Sequence, residues 1–479
     1  MERLRMFLKE TTLHGAKFIA DRRRPIYERF MWFLCVAFAF GITMFVVLAL
    51  WEKFQTKATI TGLDTDFNTW DVTFPALTLC EHDPSNQRII DEFIQKNMNN
   101  TKRIHETKKL LVNLTHFSYK TLKEIKTNSG LLQDNTNLKT LSYQLLSPCY
   151  ALLAECEFKA EIFNCCDIFN PVFTEVGYCF TFNSPYFDTD IPLSYTLKFF
   201  KPEDIRLTDS KWNMKITLAR VDPRMKISVF IHDYEEPVGI DLKPQHVWDS
   251  RVDSIIFSPK STYTEAMARQ LSIRQRNCVF HDEIVLKSSM LYTYTACMQE
   301  CRMDAALDLC SCIPHFYPEN GDKQYVHCNL KQLSCIIENI KAIVDPKGCG
   351  CMLGCSNTVY EVEKHNEYSP FETVVGFEVE FLSWPSVRYK REIIFGWSDL
   401  LVACGGVAGL YTGFSLVSAI EFIYYFTIRV YCMSFKSEER SKKRQKIKNL
   451  QDLHVTNANT DGSVMIINIL PPFGIEFTN

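Results

Sequence analysis

MWFLCVAFAFGITMFVVLAL, residues 31–50, holds no charged side chain in twenty positions. At about 1.5 Å per residue, a helix of this length rises about 30 Å, the thickness of a bilayer's hydrocarbon core. A cleaved leader has a shorter apolar run and a small-residue cleavage site after it. Here Trp51, Glu52 and Lys53 follow, an aromatic interface anchor and then charge. A transmembrane helix is therefore expected over 31–50. A second apolar stretch, LLVACGGVAGLYTGFSLVSAIEFIYYFTI, covers residues 400–428. It contains Gly405, Gly406, Gly409 and Gly413, and its one formal charge is Glu421. A charge at membrane depth is costly and usually faces a bundle interior or water. Two readings stand open: a small-residue helix dimer face with Glu421 reaching the interface, or the wall of a water-lined pore, which these residues favour.

The flanking charges orient the chain. Residues 1–30 carry eight Lys/Arg, among them Arg22, Arg23, Arg24 and Arg29, against four Asp/Glu. Residues 429–448 carry eight more, including Lys442, Lys443 and Arg444. Basic flanks stay cytoplasmic. The expected order is a cytoplasmic segment 1–30, a span 31–50, an outer domain 51–399, a span 400–428 and a cytoplasmic tail 429–479. The outer domain is net acidic. Residues 436–462 are polar and charged and read as a mobile tail.

Of nineteen cysteines, sixteen lie between Cys80 and Cys355, an even number, as eight disulfides in an oxidising compartment require. Zinc is the competing reading, but the cluster lacks paired C-x2-C knuckles and a nearby His pair. Cys297 and Cys301 would share a helix face about 6 Å apart. Cys349 and Cys351 would share a strand face about 6.6 Å apart. These rungs match, so a helix from near Thr295 stapled to a strand near Gly350 is expected, with Cys297–Cys351 and Cys301–Cys349 nested inside Cys278–Cys355. Cys310–Cys335 and Cys312–Cys328 complete the ladder. Asn99 and Asn113 begin glycosylation sequons in the same domain.

Strand-like alternation marks residues 179–182, 215–221, 225–231, 359–362 and 377–382, and helical periodicity marks 86–125. An α+β outer domain follows, with a central sheet, a helical arm and a cysteine-laced lobe at about 278–355. The 479 residues suit two or three domains, 46% are hydrophobic, and the net charge of −3 offers nothing to nucleic acid. The motifs H-E-x-x-H, G-x-S-x-G, the P-loop and the dinucleotide fingerprint are absent, so an enzyme is not expected.

Four features together carry a resemblance. His14-Gly15 precedes the first span, and Phe74-Pro75-Ala76-Leu77-Thr78-Leu79-Cys80 follows it. Gly177-Tyr178-Cys179-Phe180-Thr181-Phe182-Asn183 lies mid-domain. Gly405-Gly406 and the G-x-S tract Gly413-Phe414-Ser415 lie in the second span. With the ladder from Cys278 to Cys355, the chain resembles the degenerin/epithelial sodium channel family. Gly396-Trp397-Ser398-Asp399 and the run from Glu421 to Phe426 look like its insect pickpocket branch.

The resemblance implies a trimeric, sodium-selective, amiloride-sensitive plasma-membrane channel. Palm, finger, knuckle, β-ball and thumb would stand above two membrane helices per subunit, with the thumb at about 278–355. It implies no cofactor or metal, Na⁺ as permeant ion, and related subunits in a homo- or heterotrimer as partners, with an extracellular ligand left unidentified. Gly413, Phe414 and Ser415 would form the selectivity tract, His14 and Gly15 a pore-lining re-entrant segment, and Val402 the position where bulky side chains hold the pore open. Gly405, Gly406 and Gly409 would let the helix bend, and Glu421 would form an inner acidic ring. Cys80 would pair with Cys179, and Cys149 and Cys156 with Cys165 and Cys166 in an order left open. Glu81 stands where relatives often have Asn, and Gln275 and Ala403 depart from the acid-sensing relatives' pattern, so proton gating is not implied. Another trimeric two-span channel of the ATP-gated kind shares the topology but not this G-x-S tract and ladder. A non-conducting receptor ectodomain is the remaining alternative.

Overall fold

The computed structural model describes residues 2–65, 72–97, 104–125, 136–158, 160–188, 204–205, 213–220, 225–249, 252–289, 291–318, 325–367, 376–382, 387–429, 431–432, 438–439 and 441–447. The Asn99 sequon and most of the tail from 429 lie outside them. The chain divides into two compact units, residues 1–56 with 395–479, and residues 57–394.

The first unit is helical: Glu2–Glu10, Ala16–Ala20, Ile26–Thr56, Trp397–Thr412 and Leu416–Ile423, the last continuing into a π-helical turn at Tyr424–Ile428. The 31 residues of Ile26–Thr56 are long and apolar enough to cross a membrane. Its exposed Phe30, Phe33, Phe38 and Phe45 form one broad apolar face, as suits a helix whose solvent is hydrocarbon. It runs several residues past both ends of the expected 31–50. Pro25 stands ready at its entrance. Tyr27, Trp51 and Lys53 are residues that suit the headgroup zone, where a helix continues without needing an apolar surface.

The second apolar stretch, expected as a glycine-hinged span over 400–428, is built from two helices. Trp397–Thr412 and Leu416–Ile428 meet at an angle of 74° across a short break. The cause is local: Gly413 sits at φ +65°, in the left-handed region that a glycine enters freely.

The second unit holds two main sheets. The larger runs in the order Thr59–Asp64, Arg388–Ile393, Val252–Thr264, Gly376–Phe381, Asn213–Leu218, Leu153–Phe158 and Glu161–Asn164, with Asn357–Glu367 on the other side of Val252–Thr264. The five-stranded sheet runs His246–Trp248, Ile227–His232, Ala76–Glu81, Gly177–Phe182 and Asn170–Thr174. Gly177–Phe182 is buried at every position, as a strand covered on both faces requires. Helices Gln87–Asn97, Ile104–Thr115 and Leu138–Leu145 supply Ile90, Leu110, Leu114, Leu141 and Leu145 to the same core.

Eight disulfides lock this unit: Cys80–Cys179, Cys149–Cys166, Cys156–Cys165, Cys278–Cys355, Cys297–Cys351, Cys301–Cys349, Cys310–Cys335 and Cys312–Cys328. The helix Tyr294–Cys310 begins where the spacing placed it. Its partner is not the expected strand. Residues 349–353 pair in no ladder, and Gly348 and Gly350 adopt φ +92° and +64°. Two bridges to a rigid helix fix this segment, so it needs no strand partner. Asn113 is half-buried on its helix and its amide donates to the Glu124 carbonyl at 3.1 Å.

Candidate functional site

The break in the second apolar stretch leaves backbone groups without helical partners, and the way they are satisfied defines the site. The N–H of Gly413 returns to the Gly409 carbonyl at 3.0 Å and that of Phe414 to Ala408 at 3.3 Å. Ser415 then caps the next helix: its Oγ accepts from the Ser418 N–H at 3.2 Å, while its own N–H donates to Ser418 Oγ at 3.2 Å.

The segment before the first membrane helix closes over this break. The His14 N–H donates to the Thr412 carbonyl at 3.0 Å. The imidazole lies so close to Gly413 that a Cβ there would stand 2.6–2.9 Å from three ring atoms. Gly15 is tight for its own reason: at φ +76°, a Cβ would meet Val36 at 2.8 Å. Sequence-distant glycines thus serve one contact, with Gly15 turning the segment against the first helix and Gly413 giving the imidazole room.

One turn beyond the break, the Thr12 hydroxyl lies 2.7 Å from Ser418 Oγ. Glu421 Oε2 accepts from Thr11 Oγ1 at 3.4 Å, Thr12 N at 3.3 Å and Thr12 Oγ1 at 3.4 Å. Phe7, 5% exposed, packs edge-on against Phe422, Tyr425 and Phe426. Glu10 accepts from the Tyr425 hydroxyl and pairs with Arg429 at 3.5 Å.

The structure therefore brings His14, Gly413, Ser415 and Glu421 to one seam. Phe414, beside them, is 45% exposed. Val402, Gly405 and Gly406 stand apart from it: Val402 is 73% exposed, and a Cβ on either glycine would meet no atom within 4 Å. A Cβ on Gly409 would only graze the Phe414 carbonyl at 3.8 Å. Thr11, Thr12 and Ser418 escaped sequence reasoning. Two signals pointed to them: hydroxyls directly before His14-Gly15, and serines three apart in an otherwise apolar stretch.

In the second unit, Arg302 of the helix Tyr294–Cys310 is buried and donates to both oxygens of Glu175, at 3.1 and 2.9 Å, to Asp241 at 2.5 Å and to the Val344 carbonyl at 3.1 Å. Tyr317 also donates to Glu175, and Tyr119 lies 3.0 Å from Tyr317. Burial raises the Glu175 carboxyl against the pull of Arg302. One guanidinium thus ties the turn after Asn170–Thr174 to the cysteine lobe. A cavity of about 470 Å³ opens beside this network, lined by Thr78, His232, Gln299, Met303 and Phe316 among others.

The chain was compared with known proteins. The family profile described as "Amiloride-sensitive sodium channel" matches residues 7–425. The sodium channel protein Nach of Drosophila ananassae is 22% identical over 460 residues, covering 88% of this chain and 86% of the relative. Pickpocket protein 28 of Drosophila melanogaster is 22% identical over 510 residues, covering 91% and 80%. The bile acid-sensitive ion channel of Mus musculus is 23% identical over 486 residues, covering 89% and 87%.

Proposed function

The chain belongs to the amiloride-sensitive sodium channel family, a family of ion channels and not of enzymes, and from that premise we propose that it is a subunit of a trimeric, sodium-selective, amiloride-blocked channel of the plasma membrane. The bent stretch 397–428 is its second span, both termini are cytoplasmic, and the disulfide-locked unit is extracellular. The subunit works without cofactor and assembles with copies of itself or with related chains. An extracellular sensory stimulus opens it, and the cavity beside the Arg302 network is one place for such a ligand.

Gly413, Phe414 and Ser415 select the ion. The observation supporting this is the break at Gly413, closed by His14. A broken helix frees carbonyls and hydroxyls in a setting where only a water-lined cavity tolerates them, and oxygen atoms there replace an ion's hydration shell. Three Glu421 carboxylates around a threefold axis attract cations and repel anions at the inner end. The test is the permeability ratio. Gly413→Val adds a β-branched side chain at φ +65° and against the His14 ring. The Na⁺/K⁺ ratio falls, or current vanishes while the protein remains at the cell surface. Unchanged ratios in both Gly413→Val and Ser415→Ala would reject the assignment.

A further inference from the structure

We propose that residues 282–287, the loop leading toward the helix Tyr294–Cys310, touch the outer leaflet of the bilayer, with Ile284 and Val285 as an apolar tip taken up at the headgroup–acyl boundary of zwitterionic lipid. The inference rests on reading residues 397–428 as the second span and residues 57–394 as extracellular.

Covalent connection brings this end of the second unit near the bilayer. The chain enters the unit directly after Thr56, where the first membrane helix ends, and leaves it shortly before Trp397, where the next helix begins. The two crossings adjoin: the Ile394 N–H donates to the Ala58 carbonyl at 2.9 Å, and Thr59 pairs with Ile393. Ile393 packs against a small core of Ala268, Cys278, Phe280 and Cys355. Four residues of chain separate Ile393 from Trp397, so this core can stand no more than about 14 Å beyond it along the strand. The loop starts directly after Phe280, inside that core.

The loop is pinned at both ends and bare between them. Glu283 accepts from the Phe280 N–H at 3.0 Å and pairs with Arg276, which is buried. At the other end Glu300 accepts from the N–H groups of Lys287 and Ser288, at 2.5 and 2.9 Å. Between these pins Ile284 is 37% exposed and Val285 90%, the most exposed large apolar side chain among the described residues. Met267, next to Ala268 of the same core, is 70% exposed, and Ile394 is 49% exposed. The loop's charges are already answered: Asp282 pairs with Arg269 at 2.8 Å and Lys287 with Asp304 at 3.5 Å. It therefore offers lipid an apolar tip rather than a cation for anionic headgroups, and a loop already fixed by its own pins loses little further freedom on contact.

The experiment reconstitutes the full chain in phosphatidylcholine vesicles with a nitroxide at Val285→Cys, the unpaired Cys35, Cys404 and Cys432 being replaced by alanine. Relaxation by oxygen, which concentrates in hydrocarbon, is compared with relaxation by a water-soluble nickel chelate. Oxygen is expected to dominate at Val285 and the chelate at Val326→Cys, a 54% exposed position of the same lobe outside that small core. If the added thiol disturbs disulfide formation, Val285→Trp replaces it, and brominated phosphatidylcholine must quench the added fluorescence. A chelate-dominated Val285, or a tryptophan there that brominated lipid leaves bright, overturns the proposal. So does a label shielded from both reagents, which means that another copy of the chain covers the loop. Labels at Leu410, Leu416 and Ile420, exposed on the second stretch, separate the two readings. If oxygen dominates at any of these and not at Val285, the loop contact alone fails; if the chelate dominates at all of them, the span reading fails and the loop contact with it.

Discussion

Two buried side chains of the five-stranded sheet respond to pH in opposite directions. His232 Nε2 lies 2.9 Å from Thr78 Oγ1 and its Nδ1 2.9 Å from the Asp233 carbonyl. Burial lowers its pKa to about 4. A histidine depressed in the fold contributes stability that is complete above its unfolded value near 6.5 and is lost as pH falls toward 4. His315, stacked on Phe117, acts in the same direction. Glu81 opposes them: burial outweighs its Arg220 partner at 2.7 Å and raises it to about 7. Its neutral form suits the fold, so its contribution is complete at low pH and declines between about 4.5 and 7. In detergent, thermal unfolding of His232→Gln should lose less stability between pH 7 and pH 4 than the parent, by roughly 3 kcal/mol. Glu81→Gln should show the opposite difference. Parallel pH curves for parent and His232→Gln would reject the account.

Elements were legible where local pattern suffices. Strands expected near 179–182, 225–231 and 377–382 correspond to Gly177–Phe182, Ile227–His232 and Gly376–Phe381. The long strand Val252–Thr264 was not anticipated, because Pro259 argues against a strand interior. It is tolerated because on one side of the strand residues 254–257 pair with Gly376–Phe381 and residues 262–264 with Arg388–Ile393. Pro259 falls in the gap between the two partners. The disulfides make an element-scale prediction. In the chain-entropy account, the Cys80–Cys179 link, spanning 99 residues, contributes about 4.7 kcal/mol and the Cys156–Cys165 link, spanning 9, about 2.6 kcal/mol. Paired serine replacements should therefore lower the denaturation midpoint more for the first than for the second. Equal shifts would mean that native-state strain or packing, not loop closure, sets their value.

At the scale of the assembly, Val402 is the informative position. It is 73% exposed within one chain, and in the proposed trimer it lies about three helical turns outward of Gly413, where helices converge around a closed pore. Overpacking a tight contact costs about 1–3 kcal/mol. If that falls on the closed state alone, the closed-to-open ratio shifts about 5- to 150-fold. Val402→Phe should carry basal current that an amiloride-type blocker abolishes. A surface-expressed variant without basal current, in cells where the parent answers a known stimulus, would mean that Val402 faces lipid instead.

The apolar stretches, the even set of sixteen cysteines between Cys80 and Cys355 and the glycines of the G-x-S tract were readable without coordinates. Transfer to hydrocarbon adds residue by residue along the chain, and helix or strand spacing alone brings Cys297 and Cys301 to one face. The order within Cys149, Cys156, Cys165 and Cys166 was not readable, because both arrangements close short loops of similar entropy and only the surrounding strands choose between them. Nor was the meeting of Thr12 with Ser418, 406 positions apart in sequence. No periodicity encodes a contact of that separation. It exists because Gly15 turns one segment back and Gly413 bends another, each by way of a left-handed backbone, so that hydroxyls from the two ends of the chain come within hydrogen-bond reach.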